Sequence, residues 1–423
     1  MATEKETIYE EALRYHALPR PGKIGTCTTK PCSTPHDLAL AYSPGVAAAA
    51  RAIADAGENS YLYTSRGNLV AVVSNGTAVL GLGDIGAAAA KPVMEGKCML
   101  FKTMAGIDAF DIEIDASDPD TFVECVCRMA PTFGGINLED IKAPECFEIE
   151  RRLIERLDIP VMHDDQHGTA IVCAAAIINA CHLTGKHIED LHIATFGAGA
   201  AAIAIMRLLT ELGVRHGNII LRDRHGIIGI DRTDLPPEKR EFATTRTLSS
   251  VERMLDGADV FIGVSKAGLL SADMLHTMAP SPLIMALANP DPEITRDEAL
   301  AARPDAIYAS GRSDTPNQVN NLLAFPYVFR GALDTRARRI DTAMKTAAAE
   351  ALAMLARQRE KDSDTPFDRN HIIPSPFDKR LSTAVTDAVI RAAVESGAAR
   401  IDPRILQQPE HDTRQPAEAG IEG

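Results

Sequence analysis

The stretch Gly197-Ala198-Gly199-Ala200-Ala201-Ala202 limits what this chain can fold into more than any other. Leu191 to Phe196 before it is a short apolar run of strand length, and Ile203 to Leu212 after it continues as an apolar helix. Strand, glycine turn and helix in that order open a parallel sheet with crossover helices. Gly197 permits the tight turn, Gly199 lets backbone N–H groups approach a pyrophosphate, and the helix start adds partial positive charge. Asn218 to Leu221 reads as the next strand and ends at Asp223, a carboxylate placed to hydrogen-bond an adenosine ribose. The bland alternative is a turn that only packs closely; strand, turn, helix and acid together favour dinucleotide binding by Gly197, Ala198, Gly199, Ala200, Ala201 and Asp223. Arg222, Arg224, His225 and Lys239 surround that acid, and basic groups there would pair with a 2′-phosphate, which places NADP ahead of NAD.

Strand-like segments continue at Val260 to Val264, Leu283 to Leu287 and Ile307 to Ala309, so this half reads as a Rossmann-type, doubly wound α/β domain. The remaining length, within 423 residues and 45.4 kDa, asks for a second domain. Ahead of the turn, two β-rich stretches from Leu69 to Leu82 flank Asn75-Gly76, a dipeptide suited to a type I′ hairpin. Strands are expected at Ala109 to Ile114, Gly135 to Leu138 and Ile159 to Met162, and helices at Asp120 to Met129 and Cys146 to Arg156. The expected organisation is an N-terminal α/β domain over residues 1–160, the Rossmann-type domain with C-terminal helices over 161–395, and a flexible tail over 396–423. The first forty residues read as a helix and an extended arm suited to reach across a subunit interface, so a homodimer is the first expectation.

Charge and composition narrow the partners. The 44 Lys and Arg against 58 Asp and Glu leave a formal charge of −14, which opposes a nucleic-acid or anionic-membrane surface. Aromatic residues make up 4% and Trp is absent, so the stacking platforms of a single-strand binder are missing. No run reaches the roughly 18 apolar residues of a membrane span. Cys27, Cys32, Cys98, Cys125, Cys127, Cys146, Cys173 and Cys181 show no paired C-x-x-C spacing. Reduced thiols in a cytoplasmic protein acting on a small molecule are the simplest expectation.

Two acidic pairs follow predicted strands: Glu139-Asp140 after Gly135 to Leu138, and Asp164-Asp165 after Ile159 to Met162. Parallel strands would send both pairs off one sheet edge, where clustered carboxylates repel unless a divalent cation sits among them; oxygen donors suit Mg²⁺ or Mn²⁺. His163 and His167 flank the second pair and leave a softer metal open. The alternative is that Asp164 or Asp165 only caps a helix starting near Thr169. Lys97, just before Cys98-Met99-Leu100-Phe101, is a candidate base whose pKa an apolar setting would lower, against the usual case of a surface lysine. Tyr42 precedes Ser43-Pro44-Gly45 and the helix Val46 to Asp55, a place for a phenolic proton donor or for a packed aromatic. Asn289 in Ala288-Asn289-Pro290, and Asn320-Asn321, are amides suited to a carboxamide or a carboxylate, or to turns.

Taken together, these segments resemble the bacterial, short-chain type of malic enzyme. The matching stretches are Leu40 to Val46, Gly81 to Gly86, Lys91 to Lys97, Phe133 to Glu145, His163 to Ala170, Gly197 to Ala201, Ala288 to Pro290 and Gly311 to Pro326, and the similarity spans roughly residues 8 to 400. The resemblance implies oxidative decarboxylation of L-malate to pyruvate and CO₂ with NAD(P)⁺ and Mg²⁺ or Mn²⁺. It implies Lys97 as the base for the C2 hydroxyl with Asp164 in support, Glu139, Asp140 and Asp165 as metal ligands, and Tyr42 as the acid that protonates the enol. Asn289 becomes a cofactor amide; Lys97, Asn320 and Asn321 bind substrate; Arg224 and Lys239 join the cofactor set. The chain departs from larger relatives in lacking an arginine in Asn75 to Leu80, so malate's distal carboxylate needs another partner. No phosphotransacetylase-like domain is expected, and Lys266 and Arg336 have no assigned role. Two other readings compete: malolactic conversion to lactate on the same scaffold, and a non-catalytic nucleotide sensor, which would not need Tyr42, Lys97 and both acidic pairs.

Overall fold

The computed structural model describes residues 4–79, 81–248, 250–358 and 366–406. Four parallel strands form the first sheet: β1 (Leu69–Ser74), β2 (Asp108–Glu113), β3 (Gly135–Leu138) and β4 (Val161–His163), in the order β2-β1-β3-β4. Six strands form the second: β5 (Ile193–Phe196), β6 (Ile219–Asp223), β7 (Gly226–Ile227), β8 (Val260–Gly263), β9 (Leu283–Ala286) and β10 (Ile307–Ser310), in the order β10-β9-β8-β5-β6-β7. Among the described strand pairs of this sheet only β6–β7 is antiparallel. The switch of direction falls between β5 and β8, where a doubly wound sheet opens its ligand crevice.

The expected hairpin at Asn75-Gly76 does not form. Both hydrogen-bonding edges of β1 are taken, by β2 on one side and β3 on the other, so no edge is left for a returning strand. Instead the Gly76 carbonyl accepts the Ile85 and Gly86 N–H groups, each at 3.1 Å, and closes a loop over the strand end. The first sheet also runs past the expected boundary at 160, because β4 pairs with β3 through His163. The start of the expected flexible tail is packed: Ala398 is buried and its carbonyl accepts the Arg338 N–H at 2.9 Å, while residues 407–423 lie outside the described residues.

Pleating divides β1 between two cores. Val70 and Val72 face an apolar cluster that continues through Ile171 and Ile177 of the helix Asp164–Thr184, Ile193 and Leu221 of the second sheet, and Leu352 and Val389 of the C-terminal helices. Leu69, Ala71 and Val73 face the opposite side, against Phe122 and Leu153. The helix Asp164–Thr184 is long and apolar enough to cross a bilayer, yet 67% of its apolar window is buried, as a central core helix requires. Phe101 of the helix Ala87–Ala105 meets Phe325 and Phe329 edge-on, with ring centroids at 4.8 and 5.3 Å, and so binds the last third of the chain to the first sheet. Arg336 has a structural role: at φ 46° it ends the helix Phe325–Asp334, and its guanidinium lies 5.1 Å from the Tyr61 ring centroid. Lys266 lies in an exposed loop, and nothing in the structure explains it.

On the edge strand β2, Lys91 Nζ lies 2.6 Å from Asp111 and 3.7 Å from Glu113. Burial, then the hydrogen bond and charge of Asp111, push the Glu113 carboxyl up to about 7 against the pull of Lys91. A carboxyl raised on folding contributes stability below its ordinary value of 4.5 and loses that contribution as pH rises through about 7. Glu113→Gln is therefore expected to change the unfolding free energy little at pH 5 and to raise it by about 1–2 kcal/mol at pH 8. Denaturant unfolding at the two pH values checks this, and equal effects at both would refute it.

Candidate active site

The helix Ala87–Ala105 presents Lys97 inward, with 7% of the residue exposed. Its ammonium donates to Asp164 Oδ2 at 2.7 Å, lies 2.8 Å from Glu139 Oε1, and sits 4.2 Å from the Phe325 ring centroid. The setting is thus not simply apolar, and the expected lowering of its pKa is overturned. Burial does favour the neutral amine, but Asp164 and Glu139 outweigh it and hold the ammonium above its ordinary value. Asp164 is fully buried, and its Oδ2 also accepts the Asn321 amide, so segments far apart in sequence meet at one oxygen. Among the described residues its Oδ1 has no hydrogen-bond partner. Burial and the neighbouring Asp165 charge raise the Asp164 carboxyl although Lys97 opposes them.

Asp164 and Asp165 do not cap a later helix; the helix begins at Asp164, and both lie in its first turn. Because β3 and β4 are parallel neighbours, Glu139-Asp140 and Asp164-Asp165 leave the same sheet edge. Glu139, Asp140 and Asp165 each offer one carboxylate oxygen, all within 4.8 Å of one another. The cluster is braced: Asn137 Nδ2 donates to Glu139 Oε2 at 2.9 Å and the Asp140 N–H to Asp165 Oδ2 at 2.8 Å. Asp140 takes a left-handed φ of 52°, which Asp tolerates better than most residues and which marks a turn set for its side chain. Burial and then repulsion from Asp165, Asp164 and Asp140 keep the Glu139 carboxyl well above its ordinary value, despite Lys97. Three hard oxygen donors crowded this closely fit Mg²⁺ or Mn²⁺. His163 and His167 lie outside this ligand group.

The glycine turn forms as expected between β5 and the helix Ala200–Glu211. Gly197 takes φ 116°, and a β-carbon there would lie 2.7 Å from the Val264 carbonyl oxygen, so only glycine fits. Gly199 is extended at the helix N-cap, with Ala200 and Ala201 opening the helix and Ala198 buried behind. A cleft of about 530 Å³ runs from Gly197, Ala198 and Gly199 to Asp223, Arg224, Arg232 and Lys239. A larger cleft of about 870 Å³, past β8 to β10 around Tyr308 and Arg312, is lined by none of the site carboxylates.

Asp223 is not the open ribose acceptor that the sequence suggests. Its Oδ1 accepts the His225 N–H at 2.9 Å and Arg232 Nη1 at 2.8 Å, and its Oδ2 accepts Arg232 Nη2 at 3.2 Å and Lys239 Nζ at 2.8 Å. Burial opposes ionisation, yet Arg232 and Lys239 hold its carboxyl well below the ordinary range. Sequence reasoning missed Arg232, which lies nine residues beyond Asp223 with no pattern to tie it there. It also missed Asn137, whose only signal was an amide two residues before an acidic pair. Asn320 is turned to a local task, its Oδ1 accepting the Leu322 N–H at 2.9 Å, and it is not drawn to Asp164 as Asn321 is. Asn289 is exposed on the loop after β9, 3.0 Å from where a β-carbon on Gly81 would stand. Tyr42 is 71% exposed, and among the described residues no hydrogen bond joins its hydroxyl to Lys97 or the carboxylates.

Residues 21–154 match the malic enzyme N-terminal domain and residues 166–394 the malic enzyme NAD binding domain. The chain belongs to the malic enzyme family. It is 54% identical over 400 residues to an NADP-dependent malic enzyme of Halomonas elongata, covering 92% of this chain and 94% of that one. It is 49% identical to a bifunctional malic/malolactic enzyme of Bacillus subtilis, covering 93% and 95%. The crystal structure of the Pyrococcus horikoshii malic enzyme superposes with a TM-score of 0.88 at 42% identity, covering 94% of each chain. Other curated relatives, named as NADP- or NAD-dependent malic enzymes, are longer, and the chain spans about half their length.

One position tests the close packing around Asp164. A β-carbon on Gly168 would collide with Asp164 Oδ1 and lie 2.9 Å from Asn321 Cβ. In an exposed helix interior Gly→Ala gains roughly 1 kcal/mol. Gly168→Ala is expected instead to destabilise by about 1–3 kcal/mol, the scale of overpacking. Denaturant unfolding decides, and a gain in stability would refute the close approach.

Proposed function

We propose that this protein catalyses the oxidative decarboxylation of L-malate to pyruvate and CO₂, with NADP⁺ as hydride acceptor and a divalent cation at Glu139, Asp140 and Asp165. The observation that carries this reading is Lys97, buried and held between Asp164 and Glu139 at the edge of a carboxylate trio. When bound, Mg²⁺ or Mn²⁺ would supply a Lewis acid at the C2 oxygen and NADP⁺ would take the C2 hydride. Lys97, in its neutral amine form, takes the proton of the C2 hydroxyl, and Asp164 steadies the ammonium so formed. Asn321, bonded to Asp164, stands beside the substrate position. Tyr42 returns a proton to the enol carbon after CO₂ departs.

Coenzyme choice follows from charge. With its oxygens engaged by Arg232 and Lys239, Asp223 is not free for a ribose diol, whereas Arg224, Arg232 and Lys239 offer cationic partners for a 2′-phosphate. The assay is malate-dependent NADPH formation. EDTA is expected to abolish it and Mn²⁺ to restore it; Lys97→Ala is expected to lower it by at least about 10²-fold. Arg224→Ala combined with Lys239→Ala is expected to raise KM for NADP⁺ by about 10-fold and leave that for NAD⁺ little changed. Undiminished turnover in EDTA would overturn the metal assignment. Lactate formed without net reduced cofactor would favour the malolactic alternative, which the Bacillus subtilis relative keeps open.

The N-terminal helices leave Ile8, Leu13, Leu38, Leu40, Leu62 and Tyr63 more than half exposed. Apolar side chains clustered in one segment call for a partner surface, and a second copy of this chain is the proposed one. Tyr42 lies on that segment, so its hydroxyl serves a site only once the segment is covered. Sedimentation velocity is expected to find a dimer that Leu38→Asp with Leu40→Asp dissociates, with loss of turnover; a fully active monomer would refute it. A cytoplasmic location, where the eight free cysteines stay reduced, belongs to this proposal.

A further inference from the structure

His163 and His167 flank the acidic pair but stand outside the ligand group, and a buried hydrogen-bond chain accounts for both. Glu150, on the helix Glu145–Arg156, is 7% exposed. Its Oε1 accepts the His163 backbone N–H at 2.8 Å, and its Oε2 accepts Gln166 Nε2 at 3.1 Å. The carboxylate therefore fixes which end of the Gln166 amide faces it, since the amide oxygen would be repelled there. The same Nε2 lies 3.1 Å from His163 Nδ1. An amide nitrogen only donates, so Nδ1 accepts and the ring proton resides on Nε2. His163 Nε2 lies 3.0 Å from Asp165 Oδ2, a charge contact rather than a hydrogen bond. Asp165 Oδ2 is also the oxygen that accepts the Asp140 N–H. Both protein contacts fall on one oxygen, which leaves Oδ1 for a cation.

A second branch runs away from the site in the same sense. His167 Nε2 lies 3.0 Å from Glu150 Oε2, and its Nδ1 lies 3.1 Å from Lys345 Nζ on the helix Thr342–Arg357. An ammonium only donates, so Nδ1 accepts and the Nε2 proton points at Glu150. Donor and acceptor directions agree along the path from Lys345 to Glu150 and from Gln166 to His163, whose Nε2 then makes a 3.0 Å contact with Asp165 Oδ2.

We propose that Glu150 is a positioning residue that sets Asp165 for a divalent cation through Gln166 and His163, and that Lys345 anchors it through His167. The proposal rests on the reading that Glu139, Asp140 and Asp165 hold that cation. Outer partners of a metal ligand typically carry 10- to 100-fold in metal affinity. The test is a Mn²⁺ titration of the full chain without substrate, followed by the electron paramagnetic resonance of free Mn²⁺, with NADP⁺ affinity measured in parallel. Glu150→Gln is expected to weaken Mn²⁺ binding by about 10- to 100-fold and Lys345→Met by a smaller factor, with NADP⁺ affinity unchanged. If Glu150→Gln does not fold, Lys345→Met and His167→Asn carry the test from the far end of the chain of bonds. Folded variants that bind Mn²⁺ within about twofold of the parent would overturn the proposal, as would parallel losses of Mn²⁺ and NADP⁺ affinity. If Asp165→Asn binds Mn²⁺ as tightly as the parent, the ligand assignment itself fails and this inference falls with it.

Discussion

A single buried ammonium, Lys97 between Asp164 and Glu139, is the contact on which the rest of the structure converges. The lysine comes from the helix behind the first sheet, Glu139 from the end of β3, and Asp164 from the first turn of the central core helix. Asn321 closes the group from the far end of the second sheet. Removing one partner of such a buried pair leaves an uncompensated charge, at a cost of about 3–5 kcal/mol. On the proposed reading Lys97 is a base that must change state. Glu139 is shared between the lysine and the carboxylate trio, so a cation bound there would weaken its hold on the ammonium and favour the neutral amine.

The nucleotide cleft follows the same logic with the signs reversed. There a carboxylate, Asp223, is surrounded by cations, and its ion pairs with Arg232 and Lys239 hold a cationic wall in fixed positions before any ligand arrives. Fixed positions reduce the ordering that binding must impose. The acid at the end of the second strand, a usual mark of ribose recognition, is here a scaffold for its neighbours.

Local signals in the sequence led to the right elements where the determining contacts are local. Gly197 and Gly199 between an apolar strand and an apolar helix, and two acidic pairs after two short strands, fall where the sequence places them, because turn and strand end lie within a few residues of one another. Asn75-Gly76 misled for the opposite reason: its local preference for a hairpin was overruled by two parallel partners that begin more than thirty residues further along the chain. Lys97 could be picked out, but its electrostatic setting could not, since Glu139 and Asp164 reach it only through the sheet. Arg232, Glu150 and Lys345 carry no pattern at all; their meaning lies in partners on other elements.

The aromatic contact of Phe101 with Phe325 and Phe329 has a consequence in time as well as in space. Phe325 also lies beside Lys97, so the wall of the pocket nearest the lysine is made of residues synthesised more than two hundred positions after it. A ribosome delivers roughly 5–20 residues each second, so the first sheet waits on the order of ten seconds or more before that wall emerges. Lys97 therefore gains its flanking ring, and Asp164 its bond to Asn321, only when this late segment has been made.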